Sequence, residues 1–185
     1  MKGFTREQTR FSLCGLNCGL CPMHLGGYCP GCGGGAGNQS CTIAKCSLEH
    51  GGVPFCWECP EYPCSRYDGF DDGDSFVPHR NRRQDIAQAR GMGMDAYLAQ
   101  LEEKKAILEE LLAHYNDGRR KTIFNMAVYL LPLEDLRTVM AALNSRLELA
   151  AQPIKERALA AVGLLQEAAD RQGISLKLNK KPKTG

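Results

Sequence analysis

All ten cysteines of this 185-residue chain fall between Cys14 and Cys64. The same span holds eleven of the twenty glycines, including Gly33, Gly34, Gly35 and Gly37, and it shows no sustained helical or strand period. A loop-rich segment of this kind has few large apolar side chains to offset the entropy of ordering it. Cross-links must do part of that work, and the redox compartment decides which kind. The first thirteen residues, MKGFTREQTRFSL, lack a signal-peptide core, and no run approaches the roughly 18 apolar residues of a membrane span. The expectation is a cytoplasmic protein without a membrane segment. In that setting disulfides rarely persist, and dense cysteines are metal ligands or redox groups.

The spacing favours metal. The segment reads CGLNCGLCP, YCPGCGGG, CTIAKC and FCWECPEYPC. Three CxxC pairs, Cys18 with Cys21, Cys29 with Cys32 and Cys56 with Cys59, form the short chelate loops whose thiolates reach one tetrahedral ion at about 2.3 Å. Cys14, Cys41, Cys46 and Cys64 stand singly. Gly19, Pro22, Pro30, Gly31 and Pro60 flank the pairs, as expected of knuckles that turn tightly and aim backbone N–H groups at sulfur. Zinc suits paired thiolates in closed sites and needs no redox partner. Two four-ligand sites use eight cysteines; adding His24 and His50 gives twelve ligands, enough for three. A [4Fe-4S] cluster is the alternative. Cys14, Cys18 and Cys21 also match the CxxxCxxC triplet of radical S-adenosylmethionine enzymes, but the remaining chain is too short and too helical for the barrel such chemistry requires.

On these residues, over roughly positions 11 to 67, the chain resembles a bacterial and archaeal family known as domain of unknown function thirty-seven ninety-five, and NDGRRKTIF with LLPLEDL looks like the helical region of its longer members. The resemblance implies a cysteine-rich, zinc-binding module and carries no catalytic residue with it.

The expected fold is mainly α: a small, irregular, zinc-knuckle-like lobe over residues 1–67, an acidic linker over 68–78, and a helical bundle lobe over 79–185. A basic helix around Arg80 to Arg90 should stop at Gly91, and Asp95 should cap the next. Tyr97, Leu101, Leu108, Leu112 and Tyr115 recur at helical spacing up to Asn116, Asp117 and Gly118. Ile123 to Leu131 is apolar on nearly all sides, which places it at the centre of the lobe. Pro132 and Pro153 each open a further helix, and Gly173 closes the last. Ile174, Leu176 and Leu178 then alternate like a short strand, before a frayed basic tail.

Three functions compete. A protein-binding or adaptor role would use Tyr28, Phe55, Trp57 and Tyr62 as a contact surface or as cover for the metal knuckles. Nucleic acid could be met by His79 to Arg83, by Arg119 to Lys121 or by Lys177 to Lys183. Residues 14–64, however, carry Lys45 against Glu49, Glu58 and Glu61, and four thiolates around a divalent ion add about −2. The cysteine lobe should repel phosphate. Catalysis finds no HxxxH or HExxH spacing, no Ser, His and Asp grouping and no GxxxxGK; Gly33 to Gly37 leads into Asn38 and Gln39. A metal-stabilised partner of another protein is the expectation, with nucleic acid and catalysis disfavoured.

Overall fold

A computed structural model describes residues 3–35 and 41–180. Gly37, Asn38 and Gln39, and the basic tail beyond Lys180, lie outside the described residues. The chain is mainly α, with seven helices and no strand among the described residues. The helices are α1 (Pro22–Leu25), α2 (Thr42–Glu49), α3 (Arg82–Met92), α4 (Met94–His114), α5 (Lys121–Leu130), α6 (Leu133–Ser145) and α7 (Ile154–Arg171). No helix is long and apolar enough to cross a membrane among the described residues.

The contacts gather into two units, Met1–Leu101 with Leu178–Gly185, and Glu102–Lys177. The division falls within α4 and not at the acidic stretch. That stretch is no solvated linker. The Asp74 carboxylate is fully buried and accepts hydrogen bonds from the His79 and Asn179 backbone N–H groups, at 2.8 and 2.6 Å, and from Arg80 Nη1 at 2.9 Å. A buried charge persists only with such partners. The Asn179 bonds also explain why no strand forms after α7. Asn179 pairs its N–H and carbonyl with Asp74, so the segment is pinned at one point and has no neighbouring strand to ladder with.

The first unit has a genuine apolar core. Phe4, Leu13, Cys14, Ile43, Ala44 and Tyr67 are buried together, and Phe11, wholly buried, packs edge-on against Tyr97 at 5.2 Å. Much of this material comes from outside the cysteine segment, from the N-terminal residues, α3 and the start of α4. Ile86 and Ala89 of α3 are buried as well. α3 runs past Gly91 and ends at Gly93, whose φ of +86° suits a helix terminus. α4 begins at Met94, so Asp95 lies in its first turn and is not its cap.

The second unit follows the apolar periods closely. Ile107, Leu108 and Leu111 of α4 and Tyr115 just beyond it are buried, and α5 is buried continuously from Phe124 to Leu130. Pro132 and Pro153 stand just ahead of α6 and α7, where the missing N–H costs no helical bond. α7 buries Ala158, Ala161, Leu165, Ala168 and Ala169 completely. Small side chains on that face bring its backbone close to α5 and α6. Gln172 Nε2 bonds Asp135 Oδ2 at 2.9 Å, tying the end of α7 to the start of α6. Arg137 forks onto Glu103 at 2.6 and 2.8 Å, joining α6 to α4 on the surface.

Candidate metal centre

Two CxxC pairs adopt the same local turn. Residues Cys18–Leu20 and Cys56–Glu58 are single 3-10 turns, closed by Cys21 N–H to the Cys18 carbonyl and Cys59 N–H to the Cys56 carbonyl, each at 3.0 Å. Cys21 and Cys59 leave these turns in nearly identical extended conformations, φ/ψ −74°/129° and −75°/134°. This is the knuckle the glycine and proline pattern predicts. The third pair is held differently: Cys32 N–H donates to the Thr9 carbonyl at 3.0 Å, and Gly31 turns beside it at φ +88°. A Cβ on Gly31 would lie 2.6 Å from the Thr9 carbonyl oxygen, so only glycine permits this approach.

None of the ten cysteines forms a disulfide, and most of them gather around two cavities. Cys46 near the end of α2, the Cys56 and Cys59 knuckle, and Cys64 face a common cavity of about 20 Å³, which His50 and Tyr67 also line. That space admits one water-sized body. Cys14, Cys18, Cys29, Cys32 and Cys41 line a second cavity of about 400 Å³. Cys21 belongs electrostatically with this second set, through Cys18 and Cys29. Among the described residues, no three His, Cys, Asp or Glu side chains stand together at ion-holding spacing. The structure supplies two donor sets and two cavities, not a finished coordination sphere.

The donor chemistry fits a soft metal. Burial pushes the Cys14 thiol up to about 12, against a lowering from Ser12, with Cys32, Cys41 and Cys56 adding repulsion. Ser12 Oγ lies 3.2 Å from the Cys14 sulfur and accepts the Leu16 N–H. Burial likewise raises Cys56 to about 11; Tyr67 opposes the shift, and Cys64, Cys46 and Cys59 reinforce it. Burial is also the first cause for Cys18 and for Cys21, whose sulfur receives the Met23 and His24 N–H groups. Crowded, desolvated thiols hold their protons when no cation is near, and a bound cation is what deprotonates such groups.

The two histidines differ. The His24 Nδ1 lies 2.9 Å from the Cys29 carbonyl oxygen, and the ring lines neither cavity. His50 lines the smaller one. Its Nδ1 sits 2.9 Å from the Cys46 carbonyl oxygen and 3.6 Å from the Cys46 sulfur, and its Nε2 lies 3.4 Å from Glu61. The Cys46 carbonyl, and then Glu61, raise its pKa.

Of Tyr28, Phe55, Trp57 and Tyr62, Tyr28 alone is exposed, and Phe76 outside that set is exposed as well. Phe55 and Trp57 stack at 4.2 Å and lean on Phe11, so they cover the knuckle. The first basic cluster is internal except for Arg83, whose side chain is 76% exposed. His79 Nδ1 and Nε2 lie 2.9 Å from the Phe70 carbonyl oxygen and the Ser75 hydroxyl, Arg80 pairs with Asp74, and Arg82 is 1% exposed and forks onto Asp71. Spacing alone gave no sign of Ser12, Asp71 or Tyr67, because their roles arise from long-range packing.

No known family profile, no curated protein and no solved structure matches the chain.

Proposed function

We propose that the cysteine-bearing unit is a thiolate metal-binding module with two centres, and that the metal holds its shape for contact with another protein. The observation that carries this is the grouping of Cys46, Cys56, Cys59 and Cys64 around one cavity and of Cys14, Cys18, Cys29, Cys32 and Cys41 around another, with Cys21 beside Cys18 and Cys29. Cys46, Cys56, Cys59 and Cys64 would hold one zinc ion, because four sulfurs around a space for a single body match a closed structural site. The second centre draws on Cys14, Cys18, Cys21, Cys29, Cys32 and Cys41.

One observation favours a second reading for the larger centre. A cavity of about 400 Å³ with five thiols on its wall exceeds what one ion requires, and a [4Fe-4S] cluster would use that room. Anaerobic purification followed by elemental analysis and a visible spectrum separates the cases. Two or three zinc per chain and a colourless sample support zinc in both centres. Zinc together with iron, sulfide and broad absorbance assigns the larger centre to a cluster. A chain that retains no metal under these conditions and takes up none on titration refutes the proposal.

A further inference from the structure

Tyr67 is 94% buried by its 6% exposure, and its hydroxyl has no partner of ordinary hydrogen-bond geometry. A phenol in such a place is disfavoured against phenylalanine, because the hydroxyl loses water and regains nothing. The ring that carries it is nevertheless held firmly. The Arg82 guanidinium lies 4.3 Å from the Tyr67 ring centroid and 5.0 Å from that of Phe70. Asp71 fixes that guanidinium through Nε at 3.0 Å and Nη2 at 2.8 Å. The Tyr62 and Phe70 rings meet the Tyr67 ring edge-on at 5.4 and 5.6 Å. Cys56 is the side chain that bears most directly on this hydroxyl. Tyr67 and Cys56 both line the four-cysteine cavity.

We infer that Tyr67 is a positioning residue of the four-cysteine centre, its hydroxyl donating a hydrogen bond to the Cys56 sulfur and its ring held in place by the Asp71-anchored Arg82. This rests on the reading that these four cysteines bind a metal ion. Four thiolates around a divalent ion leave a net charge of about −2 in a largely desolvated place. A donor aimed at one sulfur disperses that charge and orients the ligand, as outer-shell partners of metal sites do. The Arg82 cation over the ring strengthens the phenol as a donor. The link also gives α3 a role at the centre, since Arg82 belongs to α3 and the four cysteines all precede it.

The test compares the full-length chain and its Tyr67→Phe variant, both loaded with ¹¹³Cd, by NMR. The cadmium signal that correlates with the Cys56 Hβ protons reports this centre. Removing the hydroxyl should move that signal, leave signals of the other centre in place, and make chelator strip this ion about ten times more readily. Arg82→Lys, which keeps the charge but loses the fork, should move the same signal less. A Tyr67→Phe variant whose cadmium still correlates with Cys56, at an unchanged shift and unchanged chelator resistance, overturns the inference. So does a gain in folding stability with no change at the metal, since that marks the hydroxyl as an idle buried group. If no cadmium in the wild-type chain correlates with Cys46, Cys56, Cys59 or Cys64, the underlying metal reading fails and this inference falls with it.

Discussion

The two units reach order by different routes. In Glu102–Lys177 four helices bury leucine, alanine and aromatic side chains in continuous faces, and the polar links Arg137–Glu103 and Gln172–Asp135 sit on the surface. In the cysteine-bearing unit the core is small and aromatic, and much of the chain is fixed by single polar ties. Examples are Asp74 to three separate partners, Arg82 to Asp71, and Cys32 N–H to Thr9. The first route needs only an apolar period. The second needs specific partners and leaves ten thiols to be reconciled. A metal ion therefore has far more to contribute to the cysteine-bearing unit than to the helical one.

Metal removal tests that contrast with the largest expected effect. Chelation should expose the amides of residues 14–64 to rapid hydrogen exchange while α5, α6 and α7 stay protected. Equal protection of residues 14–64 before and after complete metal removal would show that the aromatic core suffices. The converse experiment is Leu136→Ala, at a wholly buried position in the first turn of α6. It should cost about 3 kcal/mol of helical-unit stability, as core truncations do, and leave the number of bound ions unchanged. Loss of metal in that variant would mean the two units do not behave separately.

A smaller effect is expected of Asp74→Ala. The variant strips the partner from two backbone N–H groups and from Arg80, and should cost about 2 kcal/mol, read as a lower denaturant midpoint for the cysteine-bearing unit. An unchanged midpoint would demote the polar ties to bystanders. Smallest is Glu103→Gln on the surface. Arg137 lowers the Glu103 pKa, so the pair stabilises the fold above the carboxylate's unfolded pKa and loses that contribution as pH falls through the folded one. The wild-type advantage in thermal midpoint should be slight at neutral pH and vanish in acid.

What the sequence disclosed follows the same division. The helices from α4 to α7 were legible because leucine spacing, Pro132, Pro153 and Gly173 are local signals. The knuckles were legible too, since CxxC with glycine or proline fixes a short turn. The split of the cysteines into four and six was not, because it depends on Cys46 meeting a knuckle ten residues on, and Cys14 meeting Cys32 and Cys41. Local charge was misleading for the same reason. Asp71, Asp74, His79 and Arg82 look like solvated charge in a window of sequence, yet they pair with one another and with backbone groups inside the first unit. The alternation of Ile174, Leu176 and Leu178 predicted a strand, which needs a partner strand that the fold does not provide.

Two separate centres require that no ion draw ligands from both sets of cysteines. Loading the full chain with ¹¹³Cd and correlating each cadmium signal with cysteine Hβ protons assigns ligands to ions directly. The account predicts one cadmium bound by Cys46, Cys56, Cys59 and Cys64 together, with every other cadmium bound only by members of the remaining six. A cadmium that correlates with cysteines from both sets, or a chain that binds none, would contradict it.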